Sequence, residues 1–270
     1  MSETGDSAQR RLQRALITMP LKSEVGSKST EKKAYSENLS RVLALAVAAE
    51  LRRCGLKGAR PTEGGLDDRS GAERRMAGGI GAKKVDVTWA TEEAGLLLAV
   101  SIKSINFKDS KTKNYQKNLT NRRGDLLFEC ITLHRRFPYS VLIGLFVLDQ
   151  EAQRDTTNSR RSTFQNAHDR LLLFTGRNDP AGRDEQFEHL YIGLLNADKR
   201  PDAVCEFYRV GEPLIPLTLD LVISEALMTV VARNSDMLIY EAGAIKALGS
   251  KSKGKRGSSS LDDGEEDGDA

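Results

Sequence analysis

The sequence predicts an α/β fold in which helices flank a mixed β-sheet. Segments with the helical period alternate with short segments typical of strands, in the order helix, strand, strand, helix, strand, helix, strand, strand, helix. Hydrophobic residues make up 39% of the 270 residues, which is enough to bury a core. The run 139–148 is the most apolar predicted strand, and such continuous apolarity predicts that both faces of the sheet are covered.

The first predicted helix spans residues 30–53. Its apolar stripe includes Leu39 and Leu43, and no glycine or proline interrupts it before Gly55. Glycine often follows the last turn of a helix because it adopts the left-handed conformation at little cost. The later helices are predicted over residues 116–137, 161–175 and 218–233.

A pair of strands is predicted between the first two helices. Residues 83–90 alternate, with Val85 and Val87 on one face and Asp86 on the other. A short turn then leads into the apolar segment 96–105, which is typical of a buried strand. The remaining strands are predicted over residues 139–148, 189–195 and 204–210.

Composition divides the chain into three parts. Residues 1–28 show no sustained period and are predicted to form a flexible arm. Residues 29–248 hold all the periodic segments and are predicted to form one domain. Residues 249–270 are first basic and then acidic, a composition typical of a disordered tail.

The charge distribution favours a polyanionic partner. Six of the 38 acidic residues lie in 261–270, so residues 1–260 carry 41 basic residues against 32 acidic ones. The bases cluster between residues 101 and 123, where seven of them accompany the single acid Asp109. A basic body of this kind suits nucleic acid, although a solvated helix face would look the same.

Other function classes are disfavoured. No apolar run approaches the roughly 20 residues that span a bilayer, and residues 1–14 lack the apolar region of a secretory signal. The three cysteines are far apart, so the sequence predicts a cytoplasmic protein with no membrane contact. The glycine-rich segment 78–83 lacks the spacing of a phosphate-binding loop.

The residues that most suggest chemistry are Asp86 and Lys103, on the two neighbouring predicted strands. Residues opposite each other on paired strands lie roughly 5 Å apart, so this carboxylate and this ammonium can converge on one point. A divalent cation held by Asp86 and a water positioned by Lys103 are what phosphodiester hydrolysis requires. The alternative is an ordinary cross-strand ion pair.

The order of these elements resembles the PD-(D/E)XK nuclease superfamily, which includes most type II restriction endonucleases. The resemblance covers about residues 30–148 and rests on Val85-Asp86 and Ser101-Ile102-Lys103. Val85 stands in place of the proline, and Ser101 in place of the second carboxylate. The resemblance implies a restriction-endonuclease-like mixed sheet with Mg²⁺, or Mn²⁺ in its place, as cofactor.

The resemblance also implies roles for these residues. Asp86 binds the metal, the Ile102 carbonyl adds a ligand, Lys103 positions the attacking water and Ser101 makes a weaker hydroxyl contact. Some restriction enzymes with serine at this position take the missing carboxylate from a nearby helix. For that carboxylate we select Glu37, because the acid of the family usually lies early in the first helix. The alternatives are Glu50, in the same helix, and Glu129, in the next one.

The segment after Lys103 is predicted to contact double-stranded DNA. Lysines neutralise phosphates, whereas Gln, Asn and Arg side chains are able to contact base edges. The candidate DNA-binding residues are Lys108, Lys111, Lys113, Gln116, Asn118, Asn121, Arg122 and Arg123. Residues 73–81, with Arg74 and Arg75, are expected either to close over a duplex or to serve as a plain connector.

These observations predict a magnesium-dependent DNA endonuclease. The resemblance implies a role in restriction or in another defence against foreign DNA, in a family whose members often act as homodimers. One alternative is a nuclease-fold DNA-binding subunit without catalysis, in which Ser101 marks the lost carboxylate. Another is a nuclease acting on RNA or on branched DNA, although the sequence offers no aromatic platform for stacking single-stranded bases.

Overall fold

A five-stranded mixed sheet forms the centre of the molecule. The computed structural model describes residues 6–24, 26–62, 74–77, 82–198 and 201–248. The strands are β3 (Val87–Thr91), β4 (Gly95–Ile105), β5 (Val141–Asp149), β6 (His189–Asn196) and β7 (Val204–Arg209), and they lie in this order across the sheet. The three central strands are parallel, and each edge strand is antiparallel to its neighbour. The predicted mixed α/β architecture is therefore confirmed.

Helices cover both faces of this sheet, as the apolar run at β5 predicts. They are α1 (Ala8–Ile17), α2 (Ser29–Arg53), α3 (Leu119–Arg136), α4 (Thr163–Leu171) and α5 (Leu219–Arg233). One core joins α1, α2 and α5 to what we call the α2 face of the sheet, and a second core joins α3 and α4 to the opposite, α3 face. Strand β5 lies between the two cores and is buried at every position.

Strand β4 contributes side chains to both cores, because its successive side chains point to opposite faces of the sheet. Val100 and Ile102 pack in the core on the α2 face, whereas Ala99 and Ile105 pack in the core on the α3 face. Successive side chains of a strand point to opposite faces. The odd-numbered positions between Ala99 and Ile105 therefore face α3, which determines the elements that can reach them.

Residues 1–28 were predicted to form a flexible arm, and this prediction was wrong for residues 8–17, which form helix α1. Leu12 and Leu16 are buried against the core on the α2 face. The Asp220 carboxylate accepts hydrogen bonds from the backbone N–H groups of Ala8 and Gln9, at 2.8 and 3.1 Å. An acid at a helix N-terminus satisfies donors that the helix leaves free. The buried residues Ala8, Leu12 and Leu16 recur every four positions, a helical spacing that the prediction of an arm did not take into account.

Helix α1 also explains the buried acid Glu50 of α2. Arg11 donates to both carboxylate oxygens of Glu50, with Nε to Oε1 at 2.5 Å. The Arg53 guanidinium lies 3.7 Å from the same carboxylate. A fork of two parallel hydrogen bonds is a strong arrangement for a buried carboxylate. Glu50 is therefore satisfied by its role in joining α1 to α2.

A bend at Asp86 changes the predicted alternation of the first strand. Strand β2 (Ala82–Val85) ends before Asp86 and β3 begins after it. Val85 packs in the core on the α3 face and Val87 in the core on the α2 face. The expectation that Val85 and Val87 share one face was wrong, because the bend breaks the period of two.

Two hairpins were not predicted. Strand β1 (Arg74–Ala77) pairs with β2, and β8 (Leu238–Glu241) pairs with β9 (Ala244–Ala247). Part of the segment between the first predicted helix and the first predicted strand is thus a β-ribbon, while residues 63–73 and 78–81 lie outside the described residues, as does the predicted tail 249–270. Among the described residues, no helix combines the length and the apolarity needed to cross a membrane.

The Arg11–Glu50 pair predicts a measurable structural role for α1. Arg11→Met should lower the free energy of unfolding by about 2 kcal/mol, because it leaves the Glu50 carboxylate buried without its main partner. Adding Glu50→Met should recover most of that loss. Urea denaturation measures both changes. The control is Arg14→Met, on an exposed position of the same helix; an equal loss in this control would contradict the assignment.

Candidate active site

Four polar side chains meet on the α3 face of the sheet: Asp86, Ser101, Lys103 and Glu129. Lys103 and Ser101 come from β4, Asp86 from the bend before β3, and Glu129 from the middle of α3. We call them the Asp86–Glu129 cluster. It combines two acids with one ammonium at a place that is largely removed from solvent.

The Lys103 ammonium lies at the centre of this cluster. Its Nζ donates to Glu129 Oε2 at 2.9 Å and to Ser101 Oγ at 3.1 Å, and it lies 3.8 Å from Asp86 Oδ2. The side chains of Lys103 and Glu129 are only 12% and 6% exposed. A charge this deeply buried is costly unless it is paired. The two carboxylates therefore compensate the positive charge of Lys103, and Lys103 compensates their negative charges.

The bend places the Asp86 carboxylate beside β4. Asp86 Oδ2 accepts a hydrogen bond from the backbone N–H of Ile102 at 2.6 Å. The paired register of β3 and β4 ends at Val87 and Val100, so this N–H lies beyond the last paired residues. The Asp86 carboxylate therefore accepts the hydrogen bond that a backbone carbonyl of a paired strand would otherwise accept. This hydrogen bond fixes one oxygen of Asp86 close to Lys103.

Glu129 provides the second carboxylate. It lies on the sheet side of α3 beside Leu126, Cys130 and Leu133, which are buried in the core on the α3 face. The Ser101 hydroxyl donates a hydrogen bond to Glu129 Oε2. Ser101 thus stands where the resemblance expects an acid, and it binds an acid that comes from the neighbouring helix.

The selection of Glu37 is corrected by the structure. Its side chain is 68% exposed, and it lies 3.7 Å from Lys33 one turn earlier on α2. The reason is alternation: α2 covers the α2 face, whereas Ser101 and Lys103 occupy odd-numbered positions of β4 and face α3. Glu50 belongs to the same helix and is bound to Arg11. Of the three glutamates considered, Glu129 is the one in contact with Lys103.

The donors of the cluster suit a magnesium ion. Among the described residues, no group of three or more His, Cys, Asp or Glu side chains is placed to hold a metal. Magnesium, however, is usually bound through one or two carboxylates, with water and substrate phosphate completing its shell. The carboxylates of Asp86 and Glu129 both lie against the Lys103 ammonium. A magnesium ion would likewise need two carboxylates directed at one point.

The loop after β4 carries most of the predicted DNA-binding residues and is well ordered by its own hydrogen bonds. Asp109 accepts from Lys117 Nζ at 2.6 Å and from the backbone N–H of Thr112 at 2.9 Å. The hydrogen bond from Lys117 is the main reason that the pKa of Asp109 is lowered. Asp109 therefore remains ionised and holds Thr112 and Lys117 in place within the loop.

A buried tyrosine anchors the same loop to β5. The Tyr115 hydroxyl donates to Asp149 Oδ1 at 2.9 Å, and Lys22 Nζ donates to Asp149 Oδ2 at 2.5 Å. Burial, and secondly the charge of Asp149, raises the pKa of Tyr115, so its hydroxyl stays a donor. Sequence reasoning missed this anchor, because its three members lie far apart in the chain.

Some of the predicted DNA-binding residues already contact other side chains, whereas others are exposed without an ion-pair partner among the described residues. Lys108 lies 2.5 Å from Glu151, Arg122 lies 3.2 Å from Asp125, and Arg123 lies over the Phe174 ring. Among the described residues, Lys111 and Lys113 have no ion-pair partner, and both are exposed. Asn118 and Asn121 are exposed at the start of α3, and Gln116 is half-buried. Lys111 and Lys113 are the members most available to phosphates.

Comparison with protein-family models, with curated proteins and with solved structures finds no match for this chain.

The cluster predicts a strong energetic coupling between Lys103 and Glu129. A double-mutant cycle of Lys103→Met and Glu129→Gln, followed by urea denaturation, should give a coupling energy of about 1–3 kcal/mol, because each residue pairs the other's buried charge. The matched cycle of Lys103→Met with Glu37→Gln should give less than about 0.5 kcal/mol. Equal couplings in the two cycles would refute this geometry.

Proposed function

We propose that this protein is a metal-dependent endonuclease that hydrolyses phosphodiester bonds of double-stranded DNA, with a site like that of the PD-(D/E)XK nucleases. The observation that carries the proposal is the convergence of Asp86 and Glu129 on Lys103, with Ser101 as the fourth member. The cluster combines one lysine with two carboxylates from three separate parts of the chain, and these are the groups that a metal ion and a phosphate would contact.

Asp86 and Glu129 would hold the metal ion, Mg²⁺ or Mn²⁺, through one oxygen or more each. The Ile102 carbonyl is kept as a candidate third ligand, since the Ile102 backbone already touches Asp86. The ion, when bound, would offset the negative charge that develops on the phosphate and lower the pKa of a bound water. Both carboxylates are positioned before it arrives, Asp86 by Ile102 and Glu129 by Ser101.

Lys103 would act on the water and the phosphate. Hydrolysis forms a bond between a water oxygen and phosphorus and breaks the bond from phosphorus to one sugar oxygen. The Lys103 ammonium, within reach of both carboxylates, can orient that water and stabilise charge on the phosphate by hydrogen bonding. Ser101 would serve as a positioning residue, because its hydroxyl binds Glu129 and accepts from Lys103.

DNA is proposed as the substrate because of the basic loop beside the site. The loop leaves the sheet at Ile105, two residues after Lys103, and its exposed lysines Lys111 and Lys113 have no ion-pair partner among the described residues. Free lysines of this kind neutralise phosphates. A homodimer would place one such site on each strand of a duplex. A role in restriction, or in another defence against foreign DNA, follows from the resemblance.

Plasmid cleavage tests the proposal. The purified chain should nick supercoiled plasmid in Mg²⁺ or Mn²⁺ and not in EDTA. Asp86→Asn, Lys103→Met and Glu129→Gln should each lower the rate by about a hundredfold or more, because each removes a group that stabilises the transition state. The matched control Glu37→Gln should cleave at the wild-type rate.

Binding separates the proposal from its nearest alternative. The same three variants should retain duplex affinity within a few-fold, as measured by fluorescence anisotropy in EDTA. A wild-type chain that binds duplex but does not cleave it in either metal would favour a DNA-binding subunit without catalysis. Full activity of Glu129→Gln would show that the second carboxylate has been wrongly assigned.

A further inference from the structure

The Lys103 ammonium contacts both carboxylates that the proposed function assigns to the metal ion. Its Nζ lies 2.9 Å from Glu129 Oε2 and 3.8 Å from Asp86 Oδ2. The Lys103 side chain is only 12% exposed, so water screens its charge weakly. In the free protein this ammonium therefore compensates the same two acids that the ion would use.

Both carboxylates also have anchors other than Lys103. Asp86 Oδ2 accepts a hydrogen bond from the backbone N–H of Ile102 at 2.6 Å, and Glu129 Oε2 accepts one from the Ser101 hydroxyl. Buried neighbours of Glu129 hold its side of α3 against the sheet. Removal of the Lys103 ammonium would thus leave two acids directed at one place without this cation.

A divalent ion and the ammonium compete for the same oxygens. Magnesium binds carboxylate oxygens at about 2.0–2.1 Å, so an ion bonded to Glu129 Oε2 and Asp86 Oδ2 would lie against both oxygens, as Lys103 Nζ does. Two positive groups this close repel each other, and the repulsion grows where water is excluded. The ammonium therefore has to leave the carboxylates before an ion can bind both of them.

We propose that Lys103 is an internal cation that competes with the metal ion for Asp86 and Glu129. The free protein consequently binds Mg²⁺ or Mn²⁺ weakly, and removal of the ammonium raises its affinity for the ion. This inference rests on the proposed function for its choice of ion. In that function Lys103 acts on the water and the phosphate, which give the displaced ammonium new partners. Lys103 thus regulates the loading of the site in addition to its part in the reaction.

Manganese binding tests the proposal independently of DNA cleavage. Free Mn²⁺ is counted by its electron paramagnetic resonance signal during a titration of the full-length chain. Lys103→Met should bind one Mn²⁺ about tenfold or more tightly than the wild type, because the repulsion by the ammonium is gone. Addition of Mn²⁺ should also raise the melting temperature of Lys103→Met by more than that of the wild type, since an ion that binds only the folded state stabilises it.

A second variant, Lys103→Gln, covers the case in which Lys103→Met does not fold. The Gln side chain carries no charge and still offers an amide donor to Glu129. It should show the same gain in Mn²⁺ affinity, and a variant that is unfolded without metal should fold when Mn²⁺ is added. If neither variant gains affinity or thermal stability from Mn²⁺ relative to the wild type, the proposal is overturned.

Two controls locate the ion. Lys103→Met/Glu129→Gln should lose the gain in affinity, because one of the two carboxylates of the cluster is gone. Lys246→Met makes the same change in net charge at an exposed ion pair with Glu241, and it should bind Mn²⁺ as the wild type does. An equal gain in Lys246→Met, or a gain that survives Glu129→Gln, overturns the proposal.

The outcomes separate this inference from the proposed function. Equal Mn²⁺ affinities in the wild type and the Lys103 variants overturn the internal cation, even if the chain cleaves DNA. The expected gain in a chain that never cleaves duplex supports the internal cation and refutes the nuclease.

Discussion

The buried ammonium of Lys103, held between the carboxylates of Glu129 and Asp86, is the interaction on which the site depends. Each of these charges would be costly to bury alone, and together they form a group that the fold can accommodate. The same constraint explains the hydroxyl at Ser101. A third carboxylate at this position would add negative charge beside Glu129, whereas a serine donates to Glu129 and accepts from Lys103.

Three local features of the chain assemble this group. The bend at Asp86 ends one strand and turns the carboxylate onto the N–H of Ile102. The alternation of β4 directs Ser101 and Lys103 to the face that α3 covers. The core on that face, which includes Leu126 and Cys130, fixes the side of α3 that carries Glu129. The site therefore depends on the packing of α3 as much as on its own hydrogen bonds.

The order of the five strands of the central sheet and of helices α2 to α5 could be predicted from the sequence, because the period of the apolar residues is a local property. The pairing of Asp86 with Lys103 followed from it, since consecutive strands usually pair. The choice between Glu37 and Glu129 could not be made in this way, because it depends on which face of the sheet each helix covers. Helix α1 could have been predicted from the spacing of Ala8, Leu12 and Leu16, but its partners Glu50 and Asp220, 39 or more residues away along the chain, could not.

The most direct test of the account is the position of a bound metal ion. Crystals grown with Mn²⁺, measured at a wavelength where manganese scatters anomalously, would locate it without reference to activity. The account predicts a peak bonded to carboxylate oxygens of both Asp86 and Glu129, at about 2.0–2.2 Å. A peak bonded to Asp86 and to any acid other than Glu129, or manganese bound only elsewhere on the chain, would contradict it.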